Sequence, residues 1–297
     1  MSSLLLTQKD YLDKKKYKNI ESLLYSFKVR RREDKVCNLY YELIRNQQDL
    51  DSLLFVLSNW GGKNRVNPMY LGFGTITSRI TLRQPALQNL RKSHRDVIVP
   101  DEGMKLLYID YSQFEAGILA SLSNDETMIE LYNTDIYSDI GEKLLNNKED
   151  RQEAKILFYR FMYGDESLSK AVKEYFSKFN NLETFRKEIK KEAYTNHEIG
   201  TENGNFRISK NPDEDSWVLS HKIQALASLV YKTALIKVYE DVADAQFLIP
   251  MHDGTVYQLK NSTFDDSKTK IEQIYKDTFK SFCPKITPKI TTKDTFT

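Results

Sequence analysis

Apolar residues recur at helical spacing through the first fifth of the chain. Leu39, Leu43, Leu50, Leu53, Leu54 and Leu57 alternate with charged residues, which predicts helix across residues 9–58. Trp60-Gly61-Gly62-Lys63-Asn64 breaks the pattern and predicts a subdomain boundary. Residues 66–90 are rich in Thr, Gly and Gln and read as extended or looped. An apolar run over 104–110 predicts a strand, and 114–123 a helix that stops at Ser123-Asn124-Asp125, where the next one starts. From 126 to about 195 the period is mainly helical. Asn203-Gly204-Asn205 then turns between short extended pieces at 197–199 and 206–208, and 217–243 reads as one long helix. A strand over 247–251 meets Asp253-Gly254, a hairpin signal, and 255–259 returns. Residues 266–281 predict a last helix, and the Pro-, Ile- and Thr-rich tail from Pro284 an edge strand. Strands and helices mix without a βαβ rhythm, so the predicted class is α+β.

Composition bounds this picture. The 297 residues suffice for one large domain or two to three subdomains, and 40% hydrophobic with 29% charged residues excludes a disordered chain. The net charge of +2 does not announce a nucleic-acid binder, but its distribution is uneven. Residues 1–70 hold 13 Lys/Arg against 8 Asp/Glu, with runs at Lys14-Lys15-Lys16 and Arg30-Arg31-Arg32. Such runs fit a solvated helix face or a grip on a phosphate backbone. Cys37 and Cys283 are too few and too far apart for a disulfide framework or a Cys-rich zinc site, and suit a reducing cytoplasm. The N-terminus lacks a signal-peptide pattern, and no run approaches the roughly 20 apolar residues of a membrane helix.

Candidate chemistry begins with two strand tips about 140 residues apart, Asp110 and Asp253. A buried carboxylate is costly unless something positive meets it. Two such tips side by side would bind divalent cations, which take oxygen ligands and leave positions open for phosphates. That chemistry points to two-metal phosphoryl transfer. Between the tips lies Arg151-x3-Lys155-x3-Tyr159-x3-Tyr163-Gly164, whose spacing of four makes one slowly spiralling helical stripe. Ala154, Leu157, Phe158 and Phe161 fall on a separate face, predicted to be buried. The stripe reads either as the polar side of an ordinary amphipathic helix or as a rail for a triphosphate. In the second reading Arg forks onto phosphate oxygens and Lys supplies a point charge.

Asp110-Tyr111-Ser112-Gln113-Phe114-Glu115 resembles motif A of family A DNA polymerases, the DNA polymerase I type. The Arg151–Gly164 stripe resembles their motif B, and Met251-His252-Asp253 their motif C, in the same order and spacing. Thr75-Ile76-Thr77-Ser78-Arg79 and Leu87-Gln88-Asn89 are similar to the family's T-x-T-G-R and L-Q-N stretches, and Gln224 sits where the family has a minor-groove glutamine. The resemblance covers residues 65–297. It implies a right-hand polymerase fold with an antiparallel-sheet palm (63–125 and 217–297), helical fingers (126–216) and a reduced helical thumb (1–62).

The implied roles follow residue by residue. Asp110 and Asp253, helped by the Tyr111 carbonyl, hold two Mg²⁺ ions, with Mn²⁺ as a substitute. Arg151 and Lys155 stabilise charge on the triphosphate, and Lys155 counts with the two aspartates as catalytic. Tyr159, Tyr163, Gln113 and Tyr137 complete the nucleotide site, and Glu115 crowds the sugar 2′ position to select deoxynucleotides. Arg79, Gln88, Asn89, Gln224 and His252 contact the primer–template. Taken singly these residues have plainer readings: Asp253-Gly254 as a turn pair, Glu115 as a solvated helix residue, His252 as a structural histidine. The shared register is what favours the polymerase reading.

Four positions depart from the family pattern. Gly254 replaces the acidic residue that follows the motif C aspartate, Gly117 an arginine, Ser78 a glycine, and Tyr137 a histidine near the phosphates. Some 65 residues before the first matching stretch leave no room for a proofreading exonuclease, which suits a compact phage or plasmid replication enzyme. The expected partners are primer–template DNA, dNTPs, and a separate exonuclease, helicase/primase or processivity factor, with no membrane and a cytoplasmic location. The alternatives are a single-subunit RNA polymerase-like enzyme, which Glu115 argues against, and a non-catalytic DNA-binding replication protein with a decayed site.

Overall fold

The computed structural model describes residues 27–28, 30–31, 34–60, 62, 65–162, 165, 167–209 and 217–296. The chain divides into two compact units, Met1–Pro68 and Met69–Thr297.

In the first unit, helix α1 (Lys35–Trp60) starts after Asp34. The Asp34 carboxylate accepts from the backbone N–H groups of Val36 at 2.8 Å and Cys37 at 3.2 Å, satisfying donors that a helix N-terminus leaves open. Cys37 is buried with Phe27, against Tyr40, Tyr41 and Ile44, and the Phe27 and Tyr40 rings stack at 5.6 Å. The leucines that predict this helix lie elsewhere on it: Leu39, Leu43, Leu50, Leu54 and Leu57 are exposed. The predicted helix before residue 27, with the Lys14–Lys16 run, lies outside the described residues.

The second unit is built on a four-stranded sheet of β3 (Met104–Tyr111), β6 (Gln246–Pro250), β7 (Gly254–Lys260) and β8 (Ile290–Lys293), ordered β6-β7-β3-β8. All its pairings are antiparallel, and β8 is the edge strand expected of the tail. Two small hairpins, β1 (Met69–Leu71) with β2 (Thr81–Arg83) and β4 (Glu198–Thr201) with β5 (Gly204–Ile208), stand apart from this sheet. Leu107, Ile109 and Tyr111 alternate along β3 and are fully buried, as the two-residue strand period requires. They meet α2 (Phe114–Ser123), α8 (Val218–Asp241) and α9 (Phe264–Phe282), which share one hydrophobic core with the sheet. At its centre Tyr111 stacks on Phe114 at 4.3 Å, and Phe279 meets Phe114 edge-on at 4.9 Å. The architecture is α+β, as predicted.

The helical stretch from 126 resolves into α3 (Glu126–Thr134), α4 (Ile136–Leu145), α5 (Arg151–Met162), α6 (Lys170–Ser177) and α7 (Asn180–Asn196). Among the described residues, no helix is long and apolar enough to cross a membrane. Asp125 joins two of these helices. Its Oδ1 accepts from the Met128 N–H, capping α3, and its Oδ2 from the Asn181 N–H in the first turn of α7, each at 3.0 Å. Asp125 is buried, so no water replaces it. Asp125→Ala is therefore expected to cost about 2 kcal/mol, because the buried Met128 N–H and the part-buried Asn181 N–H lose their acceptor. A urea unfolding midpoint that does not move would contradict this role.

Candidate active site

Backbone pairing alone brings the two predicted carboxylates together. In the β3–β7 ladder Asp110 lies opposite Gly254, and the Tyr111 N–H donates to the Asp253 carbonyl at 3.0 Å. The Asp253 turn closes on itself where the Met251 N–H donates to the Gly254 carbonyl at 2.7 Å. The approach is so close that a Cβ on residue 254 would lie 2.3 Å from the Ile109 carbonyl oxygen and 2.8 Å from Asp110 Oδ1. Here Gly254 is a steric requirement, and a third carboxylate at this position does not fit without moving backbone.

The pair is electrostatically strained. Burial pushes Asp110 up to about 6, and the Asp253 charge adds to it. Burial also raises Asp253, while Arg79, His252 and Lys155 pull it back. Asp253 Oδ1 is enclosed and accepts no hydrogen bond. An orphan carboxylate oxygen beside a second raised carboxylate is a donor set that suits a hard divalent cation. The residues present therefore fit Mg²⁺. Among the described residues, no cluster of three or more His, Cys, Asp or Glu side chains forms a larger metal site. Tyr111, expected to lend its carbonyl, is fixed at the end of β3 by its buried ring.

Helix α5 presents the predicted stripe. Ala154, Leu157, Phe158 and Phe161 are buried as expected, while Arg151 and Lys155 are exposed and Tyr159 is half-buried. Lys155 lies 5.7 Å from the Tyr159 ring and draws down the pKa values of Asp110, Asp253 and Glu115, so one cation serves all three carboxylates. Arg151 forms an ion pair with Asp135 and sits 5.8 Å over the Tyr137 ring. Burial holds the Tyr137 and Tyr159 phenols far above their ordinary range, and the Glu115 charge adds to both. The Tyr137 hydroxyl is enclosed beside the Tyr159 phenol. Tyr163 lies outside the described residues.

Glu115 is 3% exposed and ion-paired to Arg79, and its Oε2 accepts no hydrogen bond. Burial pushes it up to about 7 despite the opposing pull of Arg79. Arg79, expected at the primer–template, thus faces the expected sugar gate. Its loop is fixed by its own N–H donating to Thr75 Oγ1 at 3.0 Å and by Ser228 Oγ donating to the Ser78 carbonyl at 2.7 Å. Ser78 adopts φ 60°, the left-handed conformation that explains a glycine at this place in the family pattern.

Two amides expected to touch substrate also serve the backbone. Gln113 Oε1 accepts from the Ile136 N–H at 3.3 Å, tying the Asp110 turn to the start of α4. Gln88 Oε1 accepts from the Leu82 N–H. Asn89 and His252 are exposed, and Gln224 is half-buried on α8. At Gly117 a Cβ would lie 2.8 Å from the Tyr132 ring and 2.9 Å from Ile286 Cδ1, so core atoms occupy the place of the family's arginine. Sequence reasoning missed Asp135, signalled only by its place as the cap of α4. It also missed the hydroxyls of Tyr231, Thr255 and Tyr275 behind the Asp253 turn, for which the sequence offers no signal.

Comparison with known proteins gives a consistent result. Residues 5–290 match the family described as DNA polymerase family A. A DNA polymerase I of Caldicellulosiruptor bescii is 26% identical over 229 residues, covering 64% of this chain and 27% of that protein. A DNA polymerase I of Helicobacter pylori is 22% identical over 250 residues, covering 72% and 28%. DNA polymerase theta of Caenorhabditis elegans is 27% identical over 214 residues, covering 62% and 13%. The chain thus spans under a third of the length of these relatives. Its fold is similar to the POL domain of Pol1 from M. smegmatis, solved in complex with DNA primer-template and dNTP. The TM-score is 0.76 at 19% identity, covering 92% of this chain and 56% of that one.

The raised carboxylates set a pH dependence. Asp110 moves from 3.8 to about 6 and Glu115 from 4.5 to about 7, so the folded protein binds more protons than the unfolded chain between those limits. Stability of the metal-free protein is then expected to fall as pH rises from about 4 to about 7. Asp110→Asn should flatten the slope over the lower part of that window, and added Mg²⁺ should raise Tm at pH 7.5. Thermal melts across the window check both; a wild-type Tm that rises steadily through it would exclude the assignment.

Proposed function

Since the chain belongs to DNA polymerase family A, we propose that it extends a primer 3′-hydroxyl with deoxynucleotides on a DNA template by two-metal phosphoryl transfer. One observation carries the reading: Asp110 and Asp253 are locked side by side, with an enclosed unpaired oxygen and with Lys155 of α5 acting on both. When bound at these carboxylates, Mg²⁺ ions, or Mn²⁺ in their place, would supply the charge neutralisation that phosphoryl transfer needs.

The chain's own residues do the rest. Arg151 exchanges its partner Asp135 for phosphate oxygens, a charge-assisted fork of the kind guanidinium favours. Lys155 stabilises negative charge developing on the triphosphate. Tyr159 and Tyr163 line the nucleotide, and Tyr137 offers a phenol to the phosphates. Glu115, held by Arg79, occupies the side where a ribose 2′-hydroxyl would lie. Gln88, Asn89, Gln224 and His252 meet the duplex, where minor-groove acceptors report pairing more than sequence.

The same proposal takes 63–125 and 217–297 as palm, 126–216 as fingers and 1–62 as reduced thumb. It places the enzyme in cytoplasmic replication of a phage or plasmid, with a helicase/primase or processivity factor as further partners. The M. smegmatis neighbour, bound to DNA primer-template and dNTP, supports DNA and dNTPs as partners.

Primer extension with Mg²⁺ and four dNTPs tests the reading. Asp253→Asn is expected to lower the rate at least about a hundredfold, and Lys155→Ala to cut turnover by a similar factor with duplex affinity unchanged. Extension by Asp253→Asn at the wild-type rate would overturn the proposal. Tyr159 also predicts ready use of dideoxynucleotides, its hydroxyl standing in for the missing 3′-OH. Chain-termination assays should show stronger discrimination in Tyr159→Phe, and equal discrimination in both proteins would remove that role.

A further inference from the structure

The turn carrying Asp253 is held from behind by hydroxyls that the proposed reaction does not use. Tyr231 on α8, 3% exposed, donates its phenol to the Gly254 carbonyl at 2.7 Å and also meets Thr255 Oγ1 at 2.7 Å. Thr255 Oγ1 meets the Tyr275 hydroxyl of α9 at 2.9 Å, which meets the Tyr257 hydroxyl at 3.3 Å. All four residues are buried.

Proton counting gives this cluster a direction. Each hydroxyl has one proton to donate, and a carbonyl can only accept. Tyr231 gives its proton to Gly254, so Thr255 donates to Tyr231. Tyr275 must then donate to Thr255, and Tyr257 to Tyr275. The chain runs one way, from Tyr257 to the Gly254 carbonyl, and each bond polarises the next. Burial holds the three phenols well above their ordinary range, so the chain keeps its protons at neutral pH.

Tyr275 also anchors the other carboxylate. Its main-chain carbonyl accepts from the Tyr111 hydroxyl at 2.9 Å, and Tyr111 is the residue after Asp110. The neighbours of both aspartates therefore refer to one residue of α9. We propose that Tyr231, with Thr255 and Tyr275 behind it, is a positioning residue that fixes the spacing of the Asp110–Asp253 pair for divalent cations. The inference rests on the metal-binding reading of that pair and adds the device that holds it together against its own repulsion.

The test is Mn²⁺ binding to the protein alone, followed by loss of the free-ion EPR signal, beside the Mg²⁺ dependence of primer extension. Tyr231→Phe and Thr255→Val are expected to weaken Mn²⁺ binding by roughly five- to tenfold, the scale of one lost hydrogen bond. Both should raise the Mg²⁺ concentration for half-maximal extension in parallel, leaving KM for primer–template unchanged. Thr255→Ser keeps the hydroxyl and should remain within about twofold of wild type. Should Tyr231→Phe not fold, the two Thr255 variants decide alone. Variants that match a wild type which itself binds Mn²⁺ and extends primers would overturn the positioning role and leave the polymerase reading standing. A wild type that neither binds Mn²⁺ nor extends primers would overturn both.

Discussion

Two like charges are forced together here by main-chain hydrogen bonds. The β3–β7 ladder runs without a break from Met104 opposite Lys260 to Asp110 opposite Gly254. Its last rung leaves Asp110 and Asp253 no freedom to separate. Desolvation and mutual repulsion both disfavour the ionised pair, and both carboxylates are raised. The surroundings answer with cations brought from different elements: Lys155 from α5 and Arg79 from the loop before β2. Positive charge thus converges from two directions on a point the backbone has made negative.

The departures from the family pattern are accommodated locally. Ser78 takes the left-handed backbone its position demands, and its carbonyl is held by Ser228. Tyr137 stands where a histidine could have carried charge, and Arg151 lies over its ring, so a cation remains in the neighbourhood. Gly254 stands in place of a carboxylate and admits a close approach of β3 to the Asp253 turn.

What was legible in the sequence was whatever depends on local periodicity. The span of α2, the buried face of α5 and the strand tips bearing Asp110 and Asp253 all follow from spacing along the chain. Periodicity did not say which face of α1 is covered: Cys37, Tyr40 and Tyr41 pack, whereas the more apolar leucine stripe does not. Gln113 and Gln88 were read as substrate contacts because their type and place matched a pattern. Folding also ties their side-chain oxygens to the N–H groups of Ile136 and Leu82, which need acceptors once water is gone. Arg79 and Glu115 are 36 residues apart, and the hydroxyl chain draws on α8, β7 and α9. Contacts of that range leave no trace in composition or spacing.

Gly117 shows how such a site limits its own future. The space that an arginine side chain would enter is taken by the Tyr132 ring and by Ile286, both buried and both contributed by segments that follow it in the chain. Tyr132 is further committed, since Lys289 reaches its carbonyl and its hydroxyl accepts from the Lys289 N–H at 3.4 Å. A lone reversion at 117 would collide with a filled core, so its effect depends on the residues at 132 and 286. Packing stands here where the family pattern has a charge, and no single substitution at 117 restores that charge without displacing core atoms.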